Sequence, residues 1–158
     1  MYSIGDLVAH PLHGAGKICE IERKRIDGQY KDYYVLSIPR GNMRVMVPVD
    51  GCDAVGLRPI INCEQAEELL RRIPSLEIFE DGSWNKRYRE NMLKLRSGDL
   101  LEVASVVKSL MCRESDRGLS TGERKMLHSA KQILISEIVL CMNVPYGEVE
   151  ERLNSVLV

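Results

Sequence analysis

Three histidines, five cysteines and one glycine-rich run are where this sequence comes closest to chemistry. His10, His13 and His128 join Cys19, Cys52, Cys63, Cys112 and Cys141 as side chains able to hold zinc. They do not form the paired ligand doublets from which structural zinc sites are built, so no metal is expected. The cysteines are odd in number, scattered and free of any Cys-x-x-Cys pair, the pattern of reduced, mostly buried thiols. The run His13-Gly14-Ala15-Gly16-Lys17 has the lysine of a phosphate-binding loop. It lacks that loop's first glycine and, with Ile18 next, its hydroxyl residue, so a glycine turn between two strands is the better reading. No Gly-x-Ser-x-Gly elbow occurs, and the carboxylates are dispersed over helix faces where solvation explains them. No convergent polar set remains for catalysis, and neither an enzymatic activity nor a cofactor is expected.

Binding is the better use of the polar residues. Formal net charge is −1, yet residues 84–131 carry a net +5 and the segments on either side −3 each. Lys86, Arg87 and Arg89 closely follow Trp84, Lys94 and Arg96 come later, and Arg124, Lys125 and Lys131 gather further on. Such cations neutralise phosphates and release counterions, giving affinity without sequence choice. At 100° per residue, however, Lys86, Arg89, Lys94 and Arg96 spread round more than half a helix, and geometry alone serves a solvated face equally well. Trp84, the only tryptophan, falls on a helical wheel close to Tyr88 and Leu95, the stripe that should face a core, so burial is the first reading. Against it, a helix's first turn often projects past the packed layer, where an indole among cations suits stacking on a base or wedging a base step. Arg23, Lys24, Arg25 and Arg44 sit on or beside strand-like runs, where they keep an edge soluble or reach acidic groups of a partner.

Two kinds of scaffold must position these residues. From Ile4 to about Val55, short strand-like runs alternate with turn residues, and Asp27-Gly28 and Arg40-Gly41-Asn42 look like hairpin connections. Tyr34, Leu36 and Ile38 alternate with Tyr33, Val35 and Ser37, and Met43, Val45 and Val47 alternate with Arg44 and Met46. That is the period of a half-buried sheet. About five strands in so short a segment cannot fill two layers, so a small, bent SH3-like barrel is expected.

After Gly56-Leu57-Arg58-Pro59 the period turns helical. The chain therefore reads as α+β with two domains, a β-barrel over 1–58 and an all-α bundle over 59–158. Asn62 caps a helix that Pro74 stops, and Ser83, behind the flexible-looking Glu80-Asp81-Gly82, caps one from Trp84 to about Arg96. Ser97-Gly98 ends it, and Asp99 caps a central helix with the apolar stripe Leu100, Val103, Ala104, Val107 and Met111. Ser120-Thr121-Gly122-Glu123 has the spacing of a capping box and opens a helix to Met142. Pro145 suits the first turn of a last helix that turns Val149, Leu153, Val156 and Leu157 inward.

The apolar fraction of 44% suits a packed core. The longest apolar stretches, such as Ile133 to Met142, fall well short of the roughly 20 residues that span a bilayer. The start, Met-Tyr-Ser-Ile-Gly-Asp, has neither the basic residues nor the apolar run of a secretory signal, and a cytoplasmic location is expected.

Several of these segments resemble one family. Ile4-Gly5-Asp6-Leu7-Val8-Ala9-His10-Pro11-Leu12-His13-Gly14-Ala15-Gly16 resembles the opening of the CarD/CdnL family and of the polymerase-binding module in transcription-repair coupling factors. Trp84-Asn85-Lys86-Arg87-Tyr88-Arg89, Leu95-Arg96-Ser97-Gly98-Asp99 and Arg117 through Leu127 resemble CarD more specifically, in order and at family spacing. The resemblance covers nearly the whole chain. No helicase motor follows, so a coupling factor itself is not expected.

The resemblance implies a Tudor-like barrel that docks on the RNA polymerase β subunit. It also implies a helical domain that meets promoter DNA at the upstream edge of the transcription bubble. The protein is then a regulator of initiation that stabilises the open complex, acts as a monomer and joins the nucleoid through the polymerase. Carried over by position, Trp84 becomes a wedge in the minor groove. Lys86, Arg87, Arg89, Arg124 and Lys125 become phosphate contacts with little base specificity. On the barrel, Lys24 falls at a basic polymerase contact. Met46 stands where some members carry arginine, and Arg44, two residues away on the same strand face, is the substitute. A polymerase-binding adaptor that does not use DNA is the alternative left open.

Overall fold

The computed structural model describes residues 1–39, 42–78 and 82–157. Arg40-Gly41 of the second expected hairpin, Glu80-Asp81 ahead of Trp84, and the side chain of Leu157 lie outside the described residues. Strands β1 (Leu7–His10), β2 (Gly14–Ile26), β3 (Gln29–Ile38) and β4 (Met43–Pro48) form a meander. A single helical turn, α1 (Cys52–Val55), leads to β5 (Arg58–Pro59), which returns beside β1. The order β4-β3-β2-β1-β5, antiparallel throughout, is the SH3/Tudor-like arrangement that the strand pattern called for. Asp27 and Gly28 both take positive φ, 51° and 79°, between the paired Ile26 and Gln29, as a two-residue type I′ hairpin needs. A bulge between Ile18 and Glu20 bends β2. The sheet thereby wraps Tyr34, Leu36, Ile38 and Val47 against Val8, Ile18, Cys52 and Leu57. Val35, on the opposite face, is buried too.

Beyond the barrel come α2 (Cys63–Arg72), a 3-10 turn (Ile73–Ser75), α3 (Trp84–Arg96), α4 (Leu100–Asp116), α5 (Thr121–Met142) and α6 (Tyr146–Leu157). Their starts follow local chemistry. Asn62 exchanges a reciprocal pair of bonds with Gln65, and Ser83, Asp99 and Ser120 each accept from an amide of the first turn they cap. Pro145 sits just ahead of α6, its carbonyl accepting from the Glu148 amide. The bundle core is built on α4 and α5, with Val103, Ala104, Val107 and Leu110 packed against Leu134, Ile135 and Ile138, while Leu153 of α6 closes it. Lys108 of α4 donates to the carbonyls of Ile73, Pro74 and Leu76 at 3.0, 2.8 and 2.8 Å. All three ammonium hydrogens are thereby used in fixing the turn after α2.

Barrel and bundle meet along α5. The Ala15 amide donates to Ser136 Oγ at 3.1 Å. A Cβ on Gly14, whose φ is +89°, would stand 2.6 Å from that oxygen, and one on Gly16 would stand 2.6 Å from the Ser37 carbonyl oxygen. The His13 to Lys17 run is therefore not a turn, as its glycines first suggested. From Gly14 it is the opening of β2, and the glycines permit close approach by a helix on one side and a strand on the other. Arg58 of β5 completes the junction. Its Nη1 and Nη2 each reach a Glu137 carboxylate oxygen at 2.7 Å, and its Nε donates to the Gly98 carbonyl at 2.8 Å. The Ile61 amide donates to the same carboxylate at 2.9 Å. Glu137 is only 1% exposed, and a buried charge of this kind persists because a forked guanidinium and an amide satisfy it.

The thiols depart from expectation. Cys52 is buried and Cys19 and Cys141 half-buried, but Cys63 and Cys112 are exposed; Cys63, at the start of α2, donates its Sγ hydrogen to the Cys141 carbonyl at 3.2 Å at the rim of the bundle. No helix among the described residues is long and apolar enough to cross a membrane.

Candidate nucleic-acid interface

Trp84 opens α3 directly behind the Ser83 cap. Although it shares a stripe with Leu95, which is 5% exposed, Trp84 is 41% exposed. The first reading of burial is thus corrected. At this end of the bundle the stripe runs out onto the first turn of α5, where Gly122 offers no side chain to cover it. The indole lies there, its ring stacked on Tyr88 with centroids 5.0 Å apart and planes at 20°, and its Nε1–H donates to Ser120 Oγ at 3.0 Å.

The cations around it divide into groups. Lys86 and Arg89 are exposed on the outer side of α3. Arg87 is half-buried; its Nη1 donates to the Gly82 carbonyl at 3.1 Å, and the side chain lies among Asn91, Ser105 and Ser109. Lys125 is exposed and stands about 60° round α5 from Gly122. Arg124 stands on the opposite flank, 3.8 Å from Glu114 of α4. Lys131 is turned to Asn154 at 3.3 Å. Trp84, Lys86 and Arg89 thus share the first half of α3 and Lys125 the early part of α5, whose Gly122 lies against the indole, while Arg87 is half-buried and Arg124 is turned to Glu114.

On the barrel, strand register sets the other three candidates along one face. Lys24 pairs with Lys31, Val35 with Met46, and Ser37 with Arg44, which puts Lys24, Arg44 and Met46 on a single face, away from the barrel core. Lys24 and Arg44 are exposed and Met46 is half-buried. Ala15, against which α5 packs, belongs to the same face at the other end of β2. Along the strands Arg44 stands level with Lys17, near the Ala15 end, and Met46 level with Glu20, while Lys24 lies at the far end of β2.

Two contacts were missed in the sequence. Ser120 was legible as a cap, but nothing marked it as the acceptor for an indole thirty-six positions away. Arg58 and Glu137 are 79 positions apart, and only an isolated glutamate in the apolar Ile133 to Met142 stretch hinted at a buried partner. The histidines have structural surroundings. His10 Nδ1 accepts from the Leu12 amide at 3.1 Å, and its ring lies 4.7 Å from that of His13. Burial, helped by His13, lowers the His10 pKa to about 4. Among the described residues no three His, Cys, Asp or Glu side chains converge where a metal ion would sit.

Known proteins share this architecture. The family model described as "CarD-like/TRCF RID domain" matches residues 2–61, and "CarD, C-terminal domain" matches residues 68–154. A curated protein of Bacillus subtilis (strain 168) named "Putative transcription factor YdeB" is 31% identical over 156 residues, spanning 95% of this chain and 98% of its own. A Tudor-like domain followed by this helical bundle defines a two-domain transcription regulator. The chain belongs to the CarD family, of the CarD/CdnL type.

Proposed function

We propose that the protein regulates transcription initiation by binding two partners at once, with the division of labour falling between residues 1–58 and 59–158. The outer face of the barrel, with Lys24, Met46 and Arg44 spread along it, docks on the RNA polymerase β subunit. The end of the bundle that carries Trp84 meets promoter DNA at the upstream edge of the bubble. Lys86, Arg89 and Lys125 contact phosphates directly, Arg124 adds a contact at the flank, and Arg87 holds the start of α3 in place. The observation that carries this reading is the exposure of the only tryptophan, a costly place for an indole in a protein with no use for it.

Docking raises the effective concentration of the helical domain at the bubble, so modest DNA affinity suffices. Because the surface offers cations for phosphates, the DNA contribution is sequence-tolerant and weakens with salt. A wedge that fits the opened duplex better than the closed one shifts that equilibrium by its differential affinity and by nothing more. The protein acts as a cytoplasmic monomer, held at the nucleoid by the polymerase. In a filter-retention assay with full-length protein, Trp84→Ala keeps polymerase binding and shortens the open-complex lifetime, while Lys24→Glu with Arg44→Glu weakens polymerase binding. An unchanged lifetime in Trp84→Ala, or activity insensitive to salt, would instead identify an adaptor that does not use DNA.

A further inference from the structure

The first turn of α5 is built as a socket for the indole. Ser120 Oγ accepts from Trp84 Nε1–H at 3.0 Å and from the Glu123 amide at 3.2 Å, and its own hydrogen goes to Glu123 Oε1 at 3.1 Å. A serine hydroxyl has one hydrogen and two acceptor lone pairs, so every capacity is in use and the group cannot turn without breaking a bond. Glu123 is itself buried, with Arg113 Nε 3.8 Å from its other carboxylate oxygen. Gly122 forms the floor. A Cβ at that position would stand 3.5 Å from Trp84 Cζ2 and 3.7 Å from Tyr88 Cε2, so both rings lie against bare backbone. Capping α5 does not by itself require any of these contacts with α3.

We propose that Ser120, backed by Glu123, is a positioning residue that locks the indole of Trp84 in one rotamer. The inference rests on the reading of Trp84 as the DNA-contacting side chain. A tryptophan on an exposed first turn otherwise samples several staggered conformers. Only the competent fraction then contributes to binding, and apparent affinity falls by that fraction. Ser120 removes this loss before DNA arrives.

As the chain has one tryptophan, 15N labelling of the indole gives a single side-chain signal. In full-length protein, Ser120→Ala is expected to speed indole N–H exchange with solvent and shorten the open-complex lifetime, each by about two- to tenfold, the range set by one neutral hydrogen bond. Ser120→Thr retains both wild-type values. Ser120→Gly, which removes the hydroxyl at little cost to the cap, reproduces the alanine result if Ser120→Ala folds poorly. Indole exchange unchanged in both hydroxyl-free variants overturns the inference. So does an unchanged lifetime in those variants while Trp84→Ala shortens it. If Trp84→Ala itself leaves the lifetime unchanged, the DNA reading falls and the inference with it.

Discussion

Glu137→Ala tests the junction between barrel and bundle. The carboxylate is 1% exposed and receives two bonds from Arg58 at 2.7 Å and one from the Ile61 amide at 2.9 Å. Removing one partner of a buried ion pair costs about 3–5 kcal/mol, because the other charge is left without compensation. The Arg58 side chain is 30% exposed and recovers some water when released, which places the expected loss at the lower end, about 3 kcal/mol. For a chain of this length each kcal/mol shifts the melting temperature by about 2–4 °C, so a fall of about 6–12 °C is expected by differential scanning calorimetry. Removing both charges discriminates further. Arg58→Met combined with Glu137→Met recovers at least half of the loss, since the desolvation cost of the ions disappears with them. A fall below 2 °C for Glu137→Ala, or a double variant as unstable as the two single losses added together, would refute the reasoning.

Three other outcomes follow from named contacts. The His10 pKa of about 4 lies below its ordinary 6.5, so as pH falls from 6.5 towards 4 the unfolded chain takes up a proton that the folded one refuses. Stability is lost across that window, by at most about 3 kcal/mol, and denaturant titrations of His10→Asn should show a flatter dependence. Gly14→Ala, which places a Cβ 2.6 Å from Ser136 Oγ at positive φ, should cost about 2 kcal/mol or more. Gly28→Ala, also at positive φ but with nothing within 4 Å, should cost only about 1 kcal/mol by the same titration. Lys108→Met leaves three carbonyls without their ammonium. It should destabilise the protein by about 1.5–3 kcal/mol, read as faster amide exchange along α2.

Elements set by neighbouring residues were readable in the sequence. The caps at Asn62, Ser83, Asp99 and Ser120 and the Asp27-Gly28 hairpin each depend on groups three or fewer positions apart, and each is in place. Interactions between distant segments were not readable in this way. The wheel placed Trp84 with Leu95 correctly but could not show that the opposing helix presents a glycine there. Lys86, Arg87 and Arg89 are chemically equivalent as a list, yet of the three only Arg87 lines a cleft with Ser105 and Ser109 of α4. Gly14 and Gly16 mimicked a phosphate loop because close packing and phosphate binding both require a backbone without side chains.

One consequence of α5 concerns length. The helix touches the barrel at Ser136 and the indole at Ser120, and those sixteen residues of uninterrupted helix measure about 24 Å. At 3.4 Å per base step this corresponds to about seven steps of duplex. The protein thus carries an internal yardstick whose two marks are the barrel junction and the indole. Adding one residue between them would swing one mark by about 100° relative to the other, so the spacing tolerates substitution along its outer surface far better than any change in residue number.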